Sequence, residues 1–287
     1  MSLRYAINGF GRIGRALLRA ALQRPEIELA AVNDVVPAAQ LARLLARDTV
    51  HGPFPGRVEV AEVKEDGALR IDGRLVPVLQ EPDPARIDWS RHGVEVVVEA
   101  TGRFLRRDLA AAHLRGAVRM VILSANSHPA DPADFTVCLG VNEEAWEPER
   151  HAVTSNASCT TNCLALMAKV LHEDFGVRRA LMNTVHSYTE NQRLLDLPHP
   201  EPRRSRAAAL NVIPTSTTAA EAVGDLLPAL AGRLGGLSVR VPTPAVALLD
   251  LVAETEREAP AEAIRAAYRA AAAGPLADLL ARLAARA

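Results

Sequence analysis

Hydrophobic and polar positions along the chain follow two periods in turn. Arg4-Tyr5-Ala6-Ile7-Asn8 has the pattern of a short buried strand, and Arg15-Ala16-Leu17-Leu18-Arg19-Ala20-Ala21-Leu22 that of an amphipathic helix. A second strand is predicted over 27–32, ending at Asn33-Asp34, and a second helix over 38–46. Short β-type runs over 58–60, 69–71 and 76–78 predict a small antiparallel set. Residues 94–100 are nearly all β-branched or apolar, as in a central parallel strand covered on both faces. A helix is predicted over 109–114, and strands over 120–123 and 135–141, the last making Cys138 a buried strand residue. This alternation predicts a doubly wound domain over residues 1–157. A second domain, 158–287, follows without a linker. Residues 152–154 predict a strand end, 164–171 an apolar helix and 179–186 a strand. Residues 187–206 are irregular and rich in proline and arginine, as functional or mobile loops often are. Thr215-Ser216-Thr217-Thr218 precedes a helix from about Ala219. Residues 261–287 are alanine- and arginine-rich, with Leu276, Leu279, Leu280 and Leu283 at helical spacing, and need an apolar surface to cover.

Composition narrows the picture little. The 287 residues are 49% hydrophobic with a formal net charge of −1, as in a soluble globular protein. Arg203-Arg204-Ser205-Arg206 is the one dense basic run, so neither nucleic acid nor membrane is an expected partner. The chain enters a strand pattern almost at once, with no expected leader, and Cys138, Cys159 and Cys163 suggest no disulfide framework. A cytoplasmic setting is expected.

Candidate chemistry lies in two stretches. Gly9-Phe10-Gly11-Arg12-Ile13-Gly14 stands between a strand and a helix, as the dinucleotide fingerprint requires. Gly9 permits the tight turn, Gly11 lets backbone approach a pyrophosphate, and Gly14 lets the helix pack closely. Asp34, at the second strand end, can accept from both ribose hydroxyls and repels a 2′-phosphate, favouring NAD; its plainer reading is a turn aspartate. Thr101 and Gly102 follow the central strand at its ligand-binding end. Further on, Ser158 is a natural N-cap that puts Cys159 at a helix N-terminus, where the macrodipole favours a thiolate. The plainer alternative is a small thiol filling a helix–strand junction. His186 at a strand end could hold such a thiolate and move protons, although sequence does not bring the two together. Arg206 and Arg240 are candidate anion ligands or solvated arginines, and the hydroxyls before Ala219 could hold a phosphate. No metal site is expected.

Asn8 through Arg15, Ser155 through Cys163, His186-Ser187-Tyr188-Thr189 and Arg240-Val241-Pro242-Thr243-Pro244 together resemble the glyceraldehyde-3-phosphate dehydrogenase family, in the family's order to about residue 280. The resemblance implies an α/β fold: a Rossmann-type doubly wound parallel sheet followed by a truncated α+β catalytic domain. It implies NAD as cofactor, a phosphorylated aldehyde and inorganic phosphate as substrates, and a homo-oligomer. Cys159 would attack the aldehyde, and His186 would be the base that lets hydride leave to form a thioester. Substrate phosphate would lie near Thr189, Asn191 and Arg240, and attacking phosphate near Ser158, Thr160, Arg206, Thr217 and Thr218. Arg12, Ile13, Asp34, Ser124 and Pro198 match further cofactor contacts.

Some positions depart from the family. Thr218 stands where glycine is usual, so its Cβ is expected to obstruct a close backbone approach to the attacking phosphate. Asn191 replaces a threonine or aspartate, and Gln80-Glu81-Pro82-Asp83-Pro84 lacks the usual arginine before Asp-Pro. The family runs on several tens of residues past this C-terminus. The helical segment 261–287, or a partner subunit, is therefore expected to cover a sheet edge. Two further readings stay open: a tetrose-phosphate dehydrogenase, which residues 127–134 slightly resemble, and a low-activity NAD-binding relative.

Overall fold

A computed structural model describes residues 2–62, 67–274 and 276–280. It divides into two compact units, Met1–Thr136 with Trp146–Ala157, and Val137–Ala145 with Ser158–Ala287.

The first unit is built on a nine-stranded sheet. β1 (Leu3–Asn8) and β2 (Ile27–Asn33) flank α1 (Arg12–Ala21). α2 (Ala38–Ala46) is followed by the two-residue strands β3 (Arg47–Asp48) and β4 (Gly52–Pro53), which pair only with each other. β5 (Val58–Glu62), β6 (Gly67–Ile71) and β7 (Arg74–Leu79) form the expected antiparallel set. β8 (Val96–Glu99), α3 (Arg107–Ala110), β9 (Met120–Leu123), β10 (Phe135–Thr136) and β11 (Val153–Ser155) complete it. The order is β10-β11-β9-β8-β1-β2-β7-β6-β5, parallel from β10 through β7. Strand alternation puts Tyr5 and Ile7 in a core with Leu18, Leu41 and Leu45 of the helices, and Ala6 in another with Trp89 and Val97. This is the Rossmann-type sheet that the alternation predicts.

Two predicted elements shrink. The helix over 109–114 is a single α turn, α3, continued as a 3-10 turn at Ala111–His113. The strand over 135–141 ends at Thr136, because Gly140 (φ 80) turns the chain and the Asn142 side chain accepts from the Cys138 N–H. Cys138 is thus buried in a turn, not a strand, and burial pushes its thiol up to about 11.

In the second unit, α4 (Cys159–Phe175) is longer at both ends than its apolar run. Ser158 begins it, accepting from the Thr161 N–H at 3.0 Å, and Gly176 ends it with φ 69, a conformation suited to glycine. β12 (Val177–Ser187) is central in a four-stranded sheet with β13 (Ile213–Thr215), β14 (Leu234–Val241) and β15 (Ala247–Thr255), in the order β13-β14-β12-β15. α4 and α5 (Ala219–Leu226) pack on one face: Leu164, Ala165, Ala220 and Val223 meet Met182. α6 (Ala261–Ala273) and α7 (Ala277–Leu280) interrupt the expected terminal helix around Gly274, and Leu283 lies outside the described residues. Leu276 and Leu280 are buried against Val170 of α4, whereas Leu279 is exposed. Tyr268 Oη donates to the Met167 carbonyl at 2.8 Å. The terminal helices therefore cover α4, while Ile264 packs beside Leu251 and Ala253 on the face of β15. Among the described residues β15 pairs with β12 alone, and the terminal helices meet it through side chains on its face. Side-chain burial, not backbone pairing, places them. No helix among the described residues is long and apolar enough to cross a membrane.

Candidate active site

Cys159 is the first residue of α4, and its thiol is exposed. His186 is the penultimate residue of β12, on the same side of the strand as buried Ala180, Met182 and Thr184, the side that α4 covers. Sheet alternation and helix capping thus aim both side chains at one point. Cys159 Sγ lies 3.4 Å from His186 Nε2. That hydrogen bond is the main cause holding the Cys159 thiol below its usual value, against burial, with the Thr160 hydroxyl and N–H assisting. The same bond is the main cause raising His186. The two directions agree, and both favour a thiolate–imidazolium pair at the positive end of a 17-residue helix.

Arg240 enters through register. His186 pairs with Arg240 across the parallel β12–β14 ladder, and Arg240 Nη1 lies 2.6 Å from His186 Nδ1 and donates to the Ser187 carbonyl at 3.0 Å. His186 Nδ1 is itself 2.8 Å from that carbonyl. These contacts exclude one another. A protonated Nδ1 donates to the carbonyl and faces the guanidinium as a like charge; a bare Nδ1 accepts from Arg240. Arg240 accordingly opposes the rise in His186. Burial is the first cause lowering Arg240 itself, and nearby Arg204 the second.

Arg204 is a residue that sequence reasoning missed. Its Nε donates to Glu201, and it is almost fully buried, with Nη1 lacking a partner; Arg240 Nε is likewise buried without one. A buried and a half-buried guanidinium, neighbours with spare donors, attract an anion. The run 203–206 was the available signal, but it does not show which arginine turns inward. Gln192, also missed, is buried, and its Oε1 accepts from the Thr189 N–H and hydroxyl at 2.6 and 3.2 Å.

The other predicted anion ligands are held locally. Asn191 Oδ1 meets His199 Nε2 at 3.2 Å, and Arg206 pairs with Asp196 at 2.5 Å on the exposed loop. The Pro198 carbonyl accepts from Arg193 Nε and Nη2. Thr217 Oγ1 accepts from the Ala219 N–H at 3.2 Å, just before α5. Thr218 has φ −108, which any residue adopts, so the backbone there does not require glycine. Ser158 is engaged in capping, its hydroxyl 2.6 Å from that of Thr161.

In the first unit, Gly9 has φ 92, and a Cβ there would stand 2.6 Å from the Thr101 nitrogen. A Cβ on Gly14 would stand 2.4 Å from the Gly9 carbonyl oxygen, so fold packing explains both glycines. Gly11 differs: no heavy atom lies within 4 Å of its Cβ position. Nothing in the fold demands glycine there, and the open space leaves room for a bound group to approach the backbone. Exposed Arg12 and Ile13 open α1 behind it. Asp34 accepts from the N–H groups of Phe10 (2.8 Å) and Val36 (3.1 Å), tying the end of β2 to the glycine turn while its charge stays half-exposed. Thr101, Gly102 (φ 68) and Ser124 follow the ends of β8 and β9. The residues present fit a dinucleotide at the ends of β1, β2 and β8. In residues 80–84, the Glu81 backbone bonds the Asn33 side chain through both its carbonyl and its N–H.

Comparison with known proteins gives the same reading. The model of the glyceraldehyde 3-phosphate dehydrogenase NAD binding domain matches residues 3–107, and that of the C-terminal domain of the same enzyme matches residues 158–285. The chain is 51% identical to glyceraldehyde-3-phosphate dehydrogenase of Geobacillus stearothermophilus, over 98% of this chain and 82% of that protein. It is 52% identical to glyceraldehyde-3-phosphate dehydrogenase 1 of Bacillus subtilis over the same shares, and 48% identical to one from Streptomyces arenae. Two domain models in order, and half the residues shared across nearly the whole chain, lead to one conclusion. The chain belongs to the glyceraldehyde-3-phosphate dehydrogenase family.

Proposed function

We propose that this chain catalyses the NAD-dependent, phosphorylating oxidation of glyceraldehyde 3-phosphate to 1,3-bisphosphoglycerate. The observation that carries the proposal is the Cys159–His186 pair at the start of α4. Residues 1–157 serve as the cofactor domain and 158–287 as the catalytic domain. The Cys159 thiolate attacks the aldehyde carbon, and the new alkoxide takes the His186 proton, giving a thiohemiacetal. His186 then takes the hydroxyl proton back as hydride leaves the same carbon, giving a thioester. Bound NAD supplies the hydride acceptor. A phosphate oxygen attacks the thioester carbon and expels the thiolate, releasing the acyl phosphate. Arg240, with Thr189 and Asn191, receives the substrate phosphate, and Arg204 adds positive charge beside it. Ser158, Thr160, Arg206, Thr217 and Thr218 receive the attacking phosphate. Gly9, Gly11, Arg12, Ile13, Gly14, Asp34, Thr101, Gly102, Ser124 and Pro198 serve the cofactor, with Asp34 selecting against a 2′-phosphate.

The reading extends to assembly and location. Leu181, Leu237, Leu248 and Val252 lie on the outer face of the second sheet, each at least 54% exposed. Such a patch supports a homo-oligomer. Three free cysteines suit a reducing cytoplasm. The test is NADH formation from NAD, inorganic phosphate and either glyceraldehyde 3-phosphate or erythrose 4-phosphate. Phosphate-dependent turnover with the triose, at least about tenfold more efficient than with the tetrose, is expected. Preference for the tetrose, or no turnover from folded chain that binds NAD, would overturn the assignment.

A further inference from the structure

A fully buried carboxylate lies beneath the cofactor turns of the first unit, and the reaction does not use it. Glu99 ends β8, the strand beside β1. One of its oxygens accepts from the Thr101 N–H at 2.8 Å and from the Thr101 hydroxyl. The other accepts from Asn8 Nδ2 at 2.5 Å and lies 3.4 Å from His113 Nε2. The indole N–H of Trp89 donates to His113 Nδ1 at 3.0 Å, and indole only donates, so the histidine proton belongs on Nε2, toward Glu99. All four neighbours of the carboxyl thus present hydrogens, and the carboxylate is the form they satisfy.

The network is pinned from its far end as well. The Glu81 carbonyl and N–H fix the Asn33 amide at 2.9 Å each, and Asn33 Nδ2 donates to Asn8 Oδ1 at 2.7 Å. That orientation leaves Asn8 Nδ2 for Glu99. Asn33, Asn8 and Glu99 end three adjacent parallel strands, β2, β1 and β8. From those ends the chain leaves into Asp34, the Gly9 turn and the Thr101 turn. The two turns touch, since a Cβ on Gly9 would meet the Thr101 backbone.

We propose that Glu99 is a positioning residue for the cofactor: with Asn8, Thr101 and His113 around it, its carboxylate fixes the turns at 9–11 and 101–102 in the shape that receives the dinucleotide. The inference rests on the NAD reading of this unit and goes beyond it, because Glu99 itself reaches no solvent. Glu99→Gln keeps size but replaces one acceptor oxygen by an N–H group that faces other donors. Its effect passes to the turns.

The experiment titrates NAD calorimetrically into the full chain as wild type, Glu99→Gln and Leu45→Ala, the last a core truncation in α2 within the same unit. Glu99→Gln is expected to weaken NAD about tenfold, the scale of one misplaced buried hydrogen bond. It is expected to raise KM for NAD while leaving kcat within about twofold, as lost uniform binding does. Leu45→Ala, though destabilised, should bind within about twofold of wild type. Without cofactor, amides of residues 9–12 and 101–103 should exchange hydrogen several-fold faster in Glu99→Gln, with the rest of the sheet unchanged. If Glu99→Gln does not fold, His113→Gln breaks the relay at its middle and should weaken NAD about threefold. Affinity equal to wild type in the folded carboxylate variant, or equal loss in Leu45→Ala, overturns the inference. Wild type that fails to bind NAD overturns the cofactor reading instead.

Discussion

At the scale of single residues, the site is decided by what lies within one hydrogen bond of Cys159. His186 lowers the thiol and Cys159 raises the imidazole, so both shifts favour the thiolate–imidazolium pair over the neutral one. The sign is testable. An ordinary thiol loses nucleophilicity as pH falls through about 8.5, whereas Cys159 should still be alkylated rapidly by iodoacetamide at mildly acid pH. His186→Asn should return the midpoint toward the ordinary value and slow alkylation at pH 6 by about tenfold or more; an unchanged profile would remove His186 as the cause. Val246 makes a second residue-scale case. It has φ 75, a left-handed conformation rarely adopted by a β-branched residue, and its carbonyl accepts from the Ser187 N–H at 3.1 Å, beside His186. Val246→Gly should relieve strain and raise stability by about 1 kcal/mol in chemical denaturation; a loss of stability would show that the side chain holds the bend. Of these features, Cys159 and its cap were legible in the sequence because capping is local. The Arg240–His186 contact was not, since it depends on register between strands more than fifty residues apart. Arg204 escaped because burial picks one arginine from a run in which three are chemically alike.

At the scale of elements, the long periodic segments were read well and the short ones poorly. The α2 and β9 spans follow directly from apolar periodicity. The strand over 135–141 failed because Gly140 and the Asn142 side chain turn the backbone inside an apolar run, and burial in a turn looks like burial in a strand. The alanine and leucine spacing after 261 predicts one helix, but the Gly274-Pro275 dipeptide is a breaker that outweighs that spacing, and the helix ends around Gly274. Element stability turns on caps and core contacts. Ser158→Ala removes the side-chain acceptor for the Thr161 N–H and should cost about 1 kcal/mol, measured by denaturant melting. Leu45→Ala, at a fully buried position in α2, should cost about 2–5 kcal/mol. A larger loss from the cap than from the core residue would contradict this ranking.

At the scale of the whole molecule, each unit contains its own part of the chemistry: glycine and aspartate turns in the first, the nucleophile, its histidine and the arginines in the second. The family was legible from its motifs, and the comparisons bear that out. What meets the edge of β15 that pairs with no strand among the described residues was not legible, because helix periodicity says that an apolar face exists but not what it meets. The exposed outer face of the second sheet predicts self-association, and light scattering during size exclusion should give a mass at least twice the 30.7 kDa of one chain. Leu181→Glu with Val252→Glu should return the mass toward one chain.

The most direct measurement is a rapid-mixing burst without phosphate. Chain, NAD and glyceraldehyde 3-phosphate are mixed, NADH absorbance is followed, and phosphate is added afterwards, with Cys159→Ser as the blank. About one NADH per chain should form quickly and stop, leaving an acylated Cys159 detectable by mass, and phosphate should restart turnover. Steady NADH formation without phosphate, or a burst that survives in Cys159→Ser, would contradict a thioester on Cys159.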